Sequence, residues 1–152
     1  MKEQTKRTIL FIIISILTLV LLFTAIKLNE NRRYDKLSTS KVNKYLTEIK
    51  YNNISTYIIE QPNAVIYVSN SSEEETRNFE KLFIPVIKKY NLESSITFIN
   101  INNTTIGDPF YQNAPELIFY ENGNIKDVID VSIYKNKKEL IKILEERSVI
   151  GD

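Results

Sequence analysis

Apolar residues fall into sharply different patterns along the chain. Residues 9–26, "ILFIIISILTLVLLFTAI", are uncharged and almost wholly apolar on every helical face. At about 1.5 Å rise per residue the run extends roughly 27 Å, close to the hydrocarbon thickness of a bilayer. From Arg77 the apolar positions are Phe79, Leu82, Phe83, Val86, Ile87 and Tyr90, the spacing of an amphipathic helix with Pro85 inside it. A proline there removes one backbone hydrogen bond and predicts a kink. "NAVIYVS" (63–69) and "SITFINI" (95–101) read as strands, the first preceded by Pro62. "ELIFYENGNIKDVIDV" predicts a hairpin with arms 116–120 and 125–131 joined at Asn122-Gly123. "KKELIKILEERSVI" sets Leu140, Ile141, Ile143 and Leu144 on one side of a terminal helix. Upstream, 46–61 is ambiguous between helix and strand, with a short helix suggested over 56–60 and another around 42–49.

The apolar run has three readings. A buried core helix would need core on every side. A cleavable signal peptide would fit the basic residues Lys2, Lys6 and Arg7, but the run exceeds the usual apolar length and no small-x-small site follows it. An uncleaved single-pass signal anchor fits best. The expected organisation is a basic tail (1–8), a transmembrane anchor contacting lipid (9–28), a juxtamembrane spacer (29–44) and a folded domain (45–152). Basic residues on the two sides nearly balance. The short tail favours an N-terminus-in arrangement with the domain extracytoplasmic.

Composition removes chemistry. The chain has no Cys and no His, which excludes thiol nucleophiles, disulfides, Ser-His-Asp triads and Cys/His zinc sites. Its 20 basic and 19 acidic side chains leave no bulk charge to attract nucleic acid. The excess of Ile, Lys and Asn over Gly, Trp and Met points to an AT-rich genome, such as that of a low-GC Gram-positive bacterium. No cofactor, catalytic residue or metal ligand set is expected.

One corner still invites a chemical reading. After "AVIYV" comes "SNSSEEET", where a strand turns into a helix. Ser71 or Ser72 can cap that helix, and Ser72 with Glu75 fits a capping box. Glu73, Glu74 and Glu75 then favour the positive end of the helix dipole. The alternatives are carboxylate- or metal-dependent activity at Glu73–Glu75, with Ca²⁺ or Mg²⁺ the suitable ions, and a docking surface.

The order of elements from about 60 to 150 resembles the thioredoxin fold. "AVIYVSNSSEEETRNF" looks like the central strand and the corner that carries the family's C-x-x-C. "NAPELIFYENGNI" resembles the family's cis-proline hairpin element, which implies a cis Ala114-Pro115 bond. Small membrane-anchored thioredoxin-like proteins, including bacteriocin transport accessory proteins, look nearest. The chain departs from the pattern at the cysteines. Counting from the strand end places that pair on Glu73 and Thr76; counting back from Pro85 places it on Arg77 and Glu80. Neither count meets a thiol, and thiol–disulfide exchange requires one. The resemblance therefore implies an α/β fold, a mixed sheet flanked by helices, and a redox-inactive binding or adaptor domain. Such a domain would hold a protein or peptide partner in an envelope or export assembly. Its groove would lie between Ser71, Ser72, Glu73 and Thr76 on one side and Asn113, Ala114, Pro115 and Glu116 on the other, with Asp108–Tyr111 supplying aromatic material nearby. A structural or immunity-type membrane subunit is the remaining reading.

Overall fold

The structure is a computed structural model that describes residues 2–102 and 111–151, without the side chains of 33–36. It divides into two units, Met1–Leu37 and Ser38–Asp152.

The first unit is the helix α1, Lys2–Ser38, as far as Leu37. Its span Lys2–Arg32 is long and apolar enough to cross a membrane. Ile9, Phe11, Val20 and Phe23 all stand more than half exposed, as befits a helix that is apolar all round. The hydroxyls of Thr18 and Thr24 donate back to the carbonyls of Ile14 and Leu21, at 2.7 and 2.9 Å, which removes their polarity from the surface.

The expected spacer, 29–44, behaves differently along its length. It is helical to Ser38, and from Ser38 it belongs to the second unit, where Ser40 and Val42 are buried. No α-helix forms around 42–49. A 3-10 turn, Lys41–Lys44, is followed by the short strand β1, Thr47–Glu48. The pairing of Thr47 and Glu48 with Thr97 and Phe98 supplies the reason. A partner strand overrides a weak local helical preference.

The second unit continues with α2 (Ile54–Glu60), β2 (Val65–Ser69), α3 (Glu74–Tyr90), β3 (Ile96–Asn100), β4 (Glu116–Glu121), β5 (Asn124–Asp130) and α4 (Lys137–Glu146). The sheet order is β1-β3-β2-β4-β5. β1, β3 and β2 run parallel, and β4 and β5 run antiparallel to β2 and to each other respectively. This is a β-α-β crossover followed by a hairpin and a closing helix. Asn122 and Gly123 both have positive φ, 53° and 77°, the requirement of the tight two-residue hairpin turn. Alternation along the strands gives the sheet two apolar faces. Tyr67, Phe98, Leu117 and Phe119 face the core shared with Phe79, Phe83 and Ile87 of α3 and Leu140 and Leu144 of α4. Ile66, Val68, Ile99 and Ile118 face the other way, toward Ile54 and Ile58 of α2. α3 runs through Pro85 and ends at Asn91, whose left-handed backbone closes it.

Candidate functional site

The carboxyl end of β2 and the start of β4 lie side by side, because Val68 pairs with Glu116. Two loops therefore meet there: 70–73, leading into α3, and 111–115, leading into β4. The capping box is not formed in the first. α3 begins at Glu74 with Glu73 as its N-cap and no side-chain cap bond. Asn70 has taken the available groups instead. Its Oδ1 accepts from the Ser72 amide and hydroxyl at 3.3 and 2.6 Å, and its Nδ2 donates to Glu73 at 2.7 Å. This local side-chain turn competes with a hydroxyl cap and prevails. Arg77 braces the loop by donating to the carbonyls of Ser71 and Ser72. Glu74 and Glu75 do occupy the first turn, where the helix dipole favours them.

In the second loop the Ala114–Pro115 peptide bond is cis. Pro115 is buried, and its carbonyl accepts from the Val131 amide at 3.0 Å. Beside the second loop lies a cavity of about 230 Å³ lined by Glu75 of α3, by Asn113, Ala114 and Glu116, and by Asp130 and Ser132 at the end of β5. Among the described residues three carboxylates and no cation line it. Partial burial raises the Glu116 carboxyl above its ordinary value; a hydrogen bond from Asn113 lowers it, and the nearby Asp130 raises it further.

The predicted groove residues thus separate. Asn113, Ala114 and Glu116 line the cavity, with Glu75 opposite. Ser72 and Glu73 are exposed but engaged with Asn70. Ser71 and Thr76 are buried and cannot present side chains to a partner. Asp108, Pro109 and Phe110 lie outside the described residues. Tyr111 is buried edge-on against Tyr51, and its hydroxyl bonds that of Tyr120. Among the described residues no group of three or more Asp and Glu side chains is arranged to hold a metal ion.

The residue that sequence reasoning missed is Glu80. It is fully buried on α3. One carboxylate oxygen accepts from the hydroxyls of Ser40 and Ser69 at 2.5 and 2.9 Å, and the other accepts from the Lys41 amide at 2.9 Å. Burial first, and the Glu80 charge second, hold the neighbouring Tyr67 phenol well above its usual value. The Tyr67 hydroxyl and the Thr76 hydroxyl are buried without a partner in hydrogen-bonding geometry. A signal was present. Glu80 shares the helical face of Phe83 and Ile87, and a carboxylate on an apolar face must find donors. It is also the position reached by counting back from Pro85. The strand-end count instead reaches Glu73 and Thr76, at the start of the helix.

No family model matches the chain, and no curated protein does. Solved structures do match. Thioredoxin from Fasciola hepatica is 13% identical, covers 66% of this chain and 98% of its own, and superposes with a TM-score of 0.50. Thioredoxin f2 from Chlamydomonas reinhardtii is 11% identical, covers 70% and 99%, and gives a TM-score of 0.52. Likeness at such identity shows the fold. The domain is a thioredoxin-like mixed sheet flanked by helices, in a chain that also carries an apolar N-terminal helix and contains no cysteine.

Proposed function

We propose that the chain is a single-pass membrane protein whose extracytoplasmic thioredoxin-like domain binds an extended segment of a protein partner in an envelope or export assembly. The groove runs between the first turn of α3 and Ala114–Glu116. Redox work is not part of the role, because the chain has no thiolate to attack a disulfide.

One observation carries the reading. Among the described residues no hydrogen bond engages the main chain of Ala114, although it borders the open cavity beside the start of β4. Free backbone groups beside a sheet are what a peptide pairs with in strand addition. The acidic lining supports a partner segment that carries Lys or Arg.

The test uses the full chain in its native membrane. A photo-crosslinking side chain at the exposed Asn113 captures the partner, and one at the exposed Glu145 on α4 serves as control. Ala114→Arg fills the groove and is expected to cut Asn113 capture about tenfold or more, equivalent to a binding loss of at least about 1.4 kcal/mol. The thermal midpoint is expected to stay near that of the parent. Equal capture from Asn113 with and without the substitution would refute the groove.

A further inference from the structure

The residues that follow α1 are fastened to the β2–α3 corner at two separate points. Glu80 is the first. It joins Ser40 and the Lys41 amide to Ser69, the last residue of β2. Asn100, the last residue of β3, is the second. Its Nδ2 donates to the Ser38 carbonyl at 3.0 Å and to the Ser71 hydroxyl at 3.3 Å, while its Oδ1 accepts from the Ser71 amide at 3.4 Å. Both brackets have the segment 38–41 on one side and the corner 69–71 on the other. Ser40, Ser69, Ser71 and Glu80 are each at most 3% exposed.

The chemistry makes the two sides depend on each other. No Lys or Arg side chain pairs with Glu80 among the described residues. Its carboxylate is met by neutral donors, two from the segment and one from the corner, with the Tyr67 phenol beside it. A buried carboxylate that loses donors must find others or draw in water, and either outcome moves its surroundings.

We propose that residues 38–41 form a strap, and that this strap holds the β2–α3 corner in its observed conformation. Displacing the chain where it leaves α1 then loosens the corner, and with it the wall of the cavity that contains Glu75. The device works whatever docks in that cavity, so it stands or falls apart from the binding role.

Hydrogen exchange on the full chain in detergent micelles tests the strap. Two variants remove its donors singly. Ser40→Ala deletes one hydroxyl. Lys41→Pro deletes the amide, and it suits the backbone because Lys41 opens the 3-10 turn and Ser40 before it is extended at φ −64°, ψ 142°. Amides of Asn43, Tyr45 and Leu46 report on the strap, and those of Ser71, Ser72 and Glu73 on the corner.

In each variant both sets are expected to exchange about tenfold faster or more, the scale of a lost bond to a charged group. The β4–β5 hairpin is expected to keep its protection. A strap that loosens over an unchanged corner overturns the proposal, and so does an unchanged strap. A uniform rise that includes the hairpin in both variants overturns it as well, since the segment is then ordinary core.

Discussion

Glu75 and Glu80 sit on the same helix and carry the same group, yet their surroundings are opposite. Glu75 is exposed in the first turn and faces the cavity beside Ala114. Glu80 is fully buried and accepts three hydrogen bonds from two distant parts of the chain. In the sequence the acidic triplet Glu73–Glu75 draws attention and Glu80 does not. In the fold Glu74 and Glu75 lie exposed in the first turn of α3 and Glu73 makes no cap bond, while Glu80 ties Ser40 and Lys41 to β2. Density of carboxylates along a chain is therefore a poor guide to where a carboxylate matters. Burial and the identity of its donors are better guides.

The widest way to break this contrast is to remove each group. Glu80→Ala strands two hydroxyls and an amide and leaves a void, which together cost about 3 kcal/mol or more of folding stability. Chemical denaturation of the full chain, followed by a probe in the folded domain, measures the loss. A loss below about 1 kcal/mol would mean that the three donors find water or other partners readily. The double substitution Glu74→Gln, Glu75→Gln is expected to cost much less, about 0.3–1 kcal/mol per residue at low ionic strength, and less again in salt. A salt-independent loss from the pair would point to contacts other than the helix dipole.

The fold was legible wherever a local pattern carried it. The strands at 65–69 and 96–100, the hairpin at Asn122-Gly123 and the two amphipathic helices all follow from spacing and turn chemistry. What was not legible depends on partners far along the chain. β1 exists because Thr47 and Glu48 meet β3. Two of the three donors of Glu80, Ser40 and Lys41, lie 40 and 39 residues upstream of it, so no window around "NFEKLF" contains them. The corner misled for a subtler reason. Ser72 and Glu75 fit a capping box, but Asn70 offers Ser72 a nearer acceptor, and a sequence pattern cannot rank the two. The candidate groove was half legible. Asn113, Ala114 and Glu116 line the cavity because the chain turns at Pro115, whereas Ser71 and Thr76 point into the interior.

A third carboxylate sharpens the contrast because its surroundings lie between the other two. Glu116 is partly buried beside Asp130, and its pKa is raised, with desolvation the main cause. A raised folded-state value means the native state binds this proton more tightly than the unfolded chain does. The ionised group therefore opposes folding above its folded pKa. That penalty fades as pH falls through the carboxylate range and is absent below the unfolded value. Glu116→Gln should accordingly raise the thermal midpoint slightly at neutral pH and leave it unchanged in acid below the ordinary carboxylate range. The gain should be the smallest of these effects, since solvent screens much of the penalty. A midpoint that falls at neutral pH would show that the Asn113 hydrogen bond, which favours the ionised form, outweighs burial and the Asp130 charge. Glu116 would then resemble Glu80, a carboxylate kept by its donors, rather than one left facing a cavity.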